Sequence, residues 1–451
     1  MSNRTGFTQC ERGCCRVGKF TRAPRARGLD NTHLLLKEGF TFLSDRHNEL
    51  KSDIFETRLV GKKALCITGA EAAEKFYDSS LFIRKNAVPS VISQSLLGKG
   101  IHGMDGEDHL HRKRMFLSMM TPERVEDIKD IFLEELDRRA GEWEKMPSIH
   151  MYDELREILV RTGCRWGGVP LSDAEAPQRT EEMSLMVDSF GSLGRMKEGK
   201  KARESQEKWL EGIIRDVRSG KLTPHPQTAA YITAHYRTPS GKKLSARDAG
   251  IELNNAIRPL LATAYFLVFG LLAMHQFPGE KEKIAQDQNN YSHKFSQEVR
   301  RYYPFAPAMA AKVRKSFSWR NVEFKKGTLV VLDFYGTNHH RDSWNSPETF
   351  QPERFNNWQG SPFSFVPQGG GDHHSGHRCA GEWLTVIVMK AFFRYMSTGL
   401  DYHVPEQNLS WSLHRVPTIP EDGFRITNVQ RTPGTAALLQ KEEASQTVIK
   451  S

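Results

Sequence analysis

Apolar and polar positions recur along this chain with two different periods, and the change of period marks its elements. In EKWLEGIIRDVRSG, Trp209, Ile213 and Val217 return every fourth residue. That spacing predicts one face of an amphipathic helix, and Gly220 stops it. In SWRNVEFKKGTLVVLDFYG, β-branched and aromatic residues fall in two runs around a Lys–Lys–Gly turn, which predicts two strands. DIFETRLVGKKALCITG predicts an earlier hairpin. The stretch ELNNAIRPLLATAYFLVFGLLAMHQFP predicts a long, unusually apolar helix ended by Pro278. Another helix is predicted for WLTVIVMKAFFRYM, and no repeat of fixed period stands out.

Within the long helix, the apolar run Leu260 to Met274 covers 15 residues. A membrane-spanning helix needs about 20, so no membrane anchor is expected. With 451 residues the chain can bury a large core, and length alone suggests two or three domains. The net charge of +10 raises the question of a nucleic-acid partner. Residues 1–27 carry +6 of it, with seven Lys and Arg against the single acid Glu11. The basic run Arg195 to Arg203, broken by Glu198, is expected to be a solvated loop. No nucleic-acid-binding motif accompanies either segment. Six cysteines, three of them crowded at Cys10, Cys14 and Cys15, do not form an extracellular disulfide framework. No secretory signal with an apolar core is visible, so a cytoplasmic location is expected. The basic first 28 residues predict a disordered extension; organelle targeting or a metal-sensitive cysteine cluster remain open for them.

The candidate chemistry concentrates in PQGGGDHHSGHRCAGE, Pro367 to Glu382. Cys379 stands between a glycine-rich approach and the start of a predicted helix, where free N–H groups and the helix dipole favour a thiolate. Gly369, Gly370, Gly371 and Gly376 let the backbone fold tightly around a large flat ligand. His377 and Arg378 could offer charge to an anionic edge of that ligand. A buried free cysteine, or a zinc site using His374, His377 and Cys379, are the alternatives; the zinc site has no fourth ligand at familiar spacing. Upstream, EVRRYYPFAP puts Glu298 and Arg301 three residues apart on one helical face, where they can pair, and ETFQPERF brings in Arg354.

In this order and spacing, ending in H–R–C–A–G–E, these segments resemble the cytochrome P-450 superfamily. The resemblance implies a mainly α fold, a large helical domain with a smaller β-rich edge. It also implies haem b between the long central helix and the cysteine loop, with Cys379 as axial ligand of the iron. Glu298, Arg301 and Arg354 match the trio that braces that loop. His109 and Lys113 in MDGEDHLHRKRMF match the propionate-binding pair of the family, while His111 and Arg112 are expected to face elsewhere. His377 and Arg84 match further cofactor-edge positions. One haem-thiolate catalytic domain is implied over residues 29–432, with a flexible tail over 433–451.

Most members carry an acid–alcohol pair in the central helix; this chain has Arg258 and Pro259. A buried arginine is costly without an anionic partner. That partner could be a buried Glu or Asp, or a substrate carboxylate, which a guanidinium matches in bidentate fashion. The Arg–Pro pair, with QGGGD and GHRCAGEW, looks like the fatty-acid peroxygenase branch and, within it, the terminal-alkene-forming members. The resemblance implies fatty acid and hydrogen peroxide as substrates and no obligatory reductase. A reductase-driven monooxygenase and a haem sensor without turnover are the rival classes. His102 in GKGIHGMDG falls where the alkene-forming members commonly have a histidine facing the carboxyl end. Leu97 stands where their pattern has phenylalanine, and the intervening loop is one residue shorter. A product mixture is therefore expected.

Overall fold

The structure, a computed structural model, describes residues 22–88, 100–189 and 193–439. Helices carry most of it. In chain order those that shape the site are α1 (Gly106–Ser118), α2 (Pro122–Trp143), α3 (Met151–Gly167), α4 (Met196–Ser219), α5 (Ala246–Ile257), α6 (Thr263–Gln276), α7 (Tyr291–Tyr302) and α8 (Glu382–Arg394). α2, α3, α6 and α8 enclose a core in which Phe132, Trp143, Trp166, Phe266, Phe269 and Phe392 are buried. α6 is apolar on every face and lies against α3, α7 and α8. Gly270 allows this approach, since a Cβ there would stand 2.1 Å from Cζ of Phe393.

Most strands gather at one edge: β1 (Ile54–Leu59), β2 (Lys62–Ile67), β3 (Phe82–Ile83), β4 (Ala308–Val313), β5 (Phe317–Trp319), β6 (Val322–Phe324) and β7 (Leu329–Asp333), while Ile149–His150, Leu400–His403 and Arg425–Arg431 form a separate three-stranded sheet. Five of them make one sheet in the order β1-β2-β7-β4-β3. The fold is therefore mainly α with a smaller β-rich edge. The early hairpin turns at Val60 and Gly61, both at positive φ. The later one differs from expectation. β5 pairs with β6 through Arg320 and Asn321, with φ of 46° and 61°, while the Lys–Lys–Gly segment leads on to β7 in the other sheet. Asn at positive φ suits a two-residue hairpin turn, and that local geometry set the register.

Two other segments depart from the sequence reading. The basic run Arg195 to Arg203 is no loop: from Met196 onward it forms the first turns of α4, and Arg203 is buried against Glu207 at 3.0 Å. The core face of α4 is Leu210, Ile214 and Val217, with Trp209 and Ile213 half-buried beside it. Gly220, at φ 78°, ends the helix. At the chain ends packing reaches past the expected limits. Ala26 N–H bonds the Glu56 carbonyl at 2.9 Å, and the helix Gly434–Leu439 buries Thr435, whose hydroxyl bonds the Gly399 carbonyl at 2.7 Å.

The long apolar helix is broken in two. α5 stops at Ile257, a 3₁₀ turn runs from Arg258 to Ala262, and α6 begins at Thr263. Pro259 explains the break, because it has no N–H and its ring crowds the preceding turn. By length and hydropathy Ala246–Gln276 could cross a membrane, but 89% of its apolar window is buried inside the protein. It is the core helix of this fold.

Beneath it, Glu298 on α7 is completely buried and accepts from four donors. Arg301 contributes Nε and Nη2, both at 2.8 Å; Arg354 Nε lies at 3.2 Å and the Gln351 N–H at 2.8 Å. Arg301 also reaches the Asn338 carbonyl at 3.1 Å, and the Asn338 side chain takes the Val366 N–H at 2.8 Å. The pair is thus tied to the strand of chain that enters the cysteine loop. Removing one partner of a buried ion pair costs about 3–5 kcal/mol, since the other charge is left unpaired. Glu298→Ala should lose stability of that order, read as a lowered midpoint of thermal unfolding with weakened cofactor retention.

Candidate active site

The cysteine loop owes its shape to three glycines. Gly369 and Gly371 have φ of 89° and 81°. A Cβ on Gly370 would come within 2.4 Å of the Pro362 carbonyl oxygen. The turn lays Cys379 just before α8, and its N–H donates to the Gln368 carbonyl at 3.1 Å. The Gln368 side chain is fixed by Arg300 at 3.0 Å and Thr385 at 3.1 Å. Glu382, in the first turn of α8, takes Arg300 on one oxygen and Arg378 on the other, each at 2.5 Å. Arg378 is thereby committed to Glu382.

Burial pushes the Cys379 thiol up, and the nearby Glu382 carboxylate adds to this. The Gly381 N–H, Lys113 and Arg300 act in the opposite direction. The helix start that favours a thiolate is present, but desolvation outweighs it. An ionised sulfur here needs a cation against it, which is the situation of a metal ligand. Among the described residues no three His, Cys, Asp or Glu side chains gather into a cage for a metal ion. The zinc alternative therefore lacks its partners, and an ion at Cys379 would have to be held chiefly by a non-protein frame. Cys66 and Cys164 are enclosed in apolar packing, and burial raises both thiols, Cys164 to about 12.

Beside the cysteine loop stands a group of basic side chains. His109 and His377 stack with ring centroids 3.9 Å apart. Lys113, one turn on from His109 along α1, donates to the Arg378 carbonyl. Arg84 lies over the ring of Phe76 at 4.0 Å and donates to the Ala310 carbonyl at 3.3 Å. Asp105 is spent chiefly on the N–H groups of Arg84 and Lys85, at 2.8 and 2.9 Å. Desolvation holds Lys113 down at about 8 against the nearby acids, and desolvation, then the neighbouring positive charges, hold His109 at about 4 and His377 at about 2. Arg84 falls to about 10, again through burial. Basic groups crowded this way, with so little acid among them, suit an anionic ligand edge. His111 turns away to the Tyr236 hydroxyl at 2.5 Å, and Arg112 pairs with Glu252.

The third part is the broken helix. Arg258 is 5% exposed, and its guanidinium makes no hydrogen bond or ion pair with any described residue. Burial, with the charge of Arg203 added, holds it at about 9. His102, in the single turn Ile101–Gly103, keeps accessible surface although desolvation is the first cause of its fall to about 4. Both hold together when that surface faces an interior space. The charges of Arg258, Arg203, His109 and Lys113 all act on His102. It therefore stands within electrostatic reach of both the basic group and the broken helix. Leu97 lies outside the described residues.

Several participants were missed from sequence. Glu382 and Arg300 carry the charge balance beneath Cys379, and Glu252 with Arg112 ties α5 to α1. A sequence signal existed for one contact only: Arg378 and Glu382 are four residues apart, a helical pairing distance.

A helical protein that presents one cysteine at a helix start, a glycine-folded loop and a basic cradle defines a haem-thiolate protein. The cytochrome P-450 family model matches residues 284–409. Among solved structures, cytochrome P-450EX alpha with myristic acid is 39% identical, with a TM-score of 0.88 over 91% of this chain and 100% of that one. A variant of cytochrome P-450 OleT in complex with arachidonic acid is 37% identical, with a TM-score of 0.89 over 91% and 99%. Among curated relatives, protopanaxadiol 6-hydroxylase of Panax ginseng is 22% identical over 423 residues, 85% of this chain and 86% of that one. The chain belongs to the cytochrome P-450 family, on the fatty-acid peroxygenase branch to which its motifs point. Haem iron is the cofactor that membership implies, and the residues fit it: sulfur on one side, cationic edge on another.

With Cys379 as the axial ligand, the reduced carbon-monoxide complex should absorb near the wavelength typical of thiolate-ligated haem. Cys379→Ala should abolish that band, and Cys66→Ala and Cys164→Ala should retain it.

Proposed function

We propose that this protein uses hydrogen peroxide to oxidise long-chain fatty acids at Cα or Cβ, giving terminal alkene by decarboxylation, 2- or 3-hydroxy acids, or both. The observation that carries this reading is Arg258, a buried guanidinium without a carboxylate partner among the described residues. A fatty-acid carboxylate supplies the anion it lacks, and a bidentate pair at that point restores the charged form that burial disfavours. The fatty acids in the two structural neighbours favour the same substrate class.

Haem b, held by Cys379 with Lys113, His109, His377 and Arg84 along its acid edge, would supply the oxidising chemistry. The remaining roles belong to the chain. Arg258 anchors the carboxylate and so brings Cα and Cβ to the reacting centre. The anchored carboxylate moves a proton between the two peroxide oxygens, replacing the acid–alcohol pair that Arg258 and Pro259 displace. Pro259 breaks the helix at the point where the guanidinium has to leave its axis. His102, neutral at about pKa 4 in the protein alone, gains basicity when a carboxylate binds beside it, because an opposite charge favours the protonated ring. It can then position the acid and release a proton. After a hydrogen atom leaves Cβ, return of hydroxyl gives the 3-hydroxy acid, whereas removal of one further electron with loss of carbon dioxide gives the alkene, peroxide being the two-electron oxidant that ends as two waters.

A reductase-driven monooxygenase is the second reading, and the hydroxylase named among the curated relatives favours it. Arg258 in place of the acid–alcohol pair weighs against it. Fatty acid and peroxide are the partners proposed, with no nucleic acid, no membrane anchor and a cytoplasmic setting.

Losing a charge-assisted pair while its partner stays buried costs about 2–5 kcal/mol. Arg258→Ala should lose fatty-acid binding and peroxide-driven turnover together while haem content stays near normal. The fatty-acid methyl ester should be a poor substrate of the native protein; turnover equal to the free acid would refute substrate assistance.

The product balance offers a separate check by mass spectrometry. His102→Gln keeps a hydrogen-bonding group without the proton and should move product from alkene toward hydroxy acid. Leu97→Phe should raise the alkene fraction by giving the imidazole an aromatic face to pack on.

A further inference from the structure

The catalytic reading leaves one buried ion pair unused. Glu252 on α5 is 1% exposed and stands six residues before Arg258. Its carboxylate pairs with Arg112 of α1, a residue 7% exposed and distant in sequence. The Asn255 amide donates to the second oxygen at 3.1 Å, and the Gly100–Ile101 backbone lies close enough to that carboxylate for the Ile101 N–H to favour its charged form. Ile101 begins the single turn that carries His102. Gly100, just before it, packs so closely that a Cβ there would lie 2.2 Å from the Asn255 amide nitrogen and 3.0 Å from the Glu252 oxygen. A side chain at position 100 would push the turn away from the helix.

One carboxylate therefore joins three pieces of the site. It holds α1, which presents His109 and Lys113; it holds the turn that presents His102; and it belongs to the helix that ends in Arg258. A turn of three residues has little stability of its own, since its few hydrogen bonds cannot offset the loss of backbone freedom. Its position has to come from outside, and the Glu252–Asn255 pair is the surface its first residue packs against. Arg112 is fixed in turn by lying over the Tyr236 ring at 4.8 Å, so it presents its charge in one direction.

We infer that Glu252 is a positioning residue for His102: the Arg112–Glu252–Ile101 connection sets where the imidazole stands relative to Arg258, and through it the outcome at Cβ. This deepens the proposed function and rests on it for the chemical consequence, though not for the geometry. Glutamine at position 252 has nearly the same shape but turns an N–H₂ toward donors, so it should release either Arg112 or the Asn255 amide against which the turn packs.

The test compares haem-loaded native protein with Glu252→Gln, each labelled with ¹⁵N-histidine and examined by NMR as the diamagnetic reduced carbon-monoxide complex. The His102 ring signals are identified by their disappearance in His102→Gln. Glu252→Gln should shift or broaden those signals and move product from alkene toward hydroxy acid. The double variant Glu252→Gln/His102→Gln should give the same product ratio as His102→Gln alone, because the two changes act through one group. Unmoved His102 signals with a native product ratio overturn the inference and leave Glu252 a scaffold residue. If His102→Gln itself leaves the ratio unchanged, the reading of His102 chemistry fails, and the ring signals alone decide whether Glu252 positions it. Glu252→Asp keeps the charge and withdraws it by one methylene; should the glutamine variant fail to fold, the same displacement of the His102 signals is expected there, and its absence is equally decisive.

Discussion

A guanidinium sits in the most apolar element of the chain, and much of the surrounding structure serves to keep it there. Arg258 follows the last residue of α5 and so sits at the carbonyl end of that half-helix. The negative end of a helix dipole favours a cation by about 0.3–1 kcal/mol, and by more when partly buried. The break at Pro259 creates this end; an unbroken helix would offer Arg258 only hydrogen-bonded carbonyls. The proline thus frees part of the polar environment that makes the arginine tolerable. The remaining imbalance is what the proposed carboxylate substrate would offset.

Charge is handled differently below the cysteine. Arg300 is fully buried between Gln297, Gln368 and Glu382, and Glu382 takes Arg378 as well. Two cations offset one carboxylate there, although that carboxylate remains the largest single charge acting on the sulfur. The same residues fasten the loop, because Gln368 receives the Cys379 N–H through its carbonyl while its side chain bonds Arg300. Position and electrostatics of the sulfur are therefore set by one connected group of side chains.

Some of this was legible in the chain and some was not, for reasons of distance. Cys379 and Arg258 are conspicuous where they stand, one at the edge of a glycine run and the other in an apolar helix. Glu298 and Arg301 are three residues apart, so helical geometry alone brings them together. By contrast Arg112 meets Glu252 from 140 positions away, and Arg300 meets Glu382 from 82. Neither pairing has a local signature. The run from Arg195 to Arg203 was misjudged because its charge suggested a solvated loop. Its helical neighbours Glu198 at i+3 from Arg195 and Glu207 at i+4 from Arg203 pair within α4 and make the segment a helix. On the same helix a one-residue offset separated Trp209 and Ile213 from Leu210 and Ile214, because both sets fit a period near four.

The basic cradle beside the cysteine loop has a bearing on how the protein is made. Lys113, Arg84, His109 and His377 are drawn from a loop, a helix and the cysteine segment; burial disfavours charge on all four, and Lys113 and Arg84 further disfavour it on the two histidines. The acid groups of haem, held there as proposed, would relieve that imbalance and enter the charge balance of the fold as counter-ions. Folding and cofactor uptake then form one linked equilibrium, in which free haem above its dissociation constant stabilises the native state logarithmically. A cell that synthesises the chain faster than it supplies haem would accumulate the less stable member of that equilibrium, and proteolysis would act on it first.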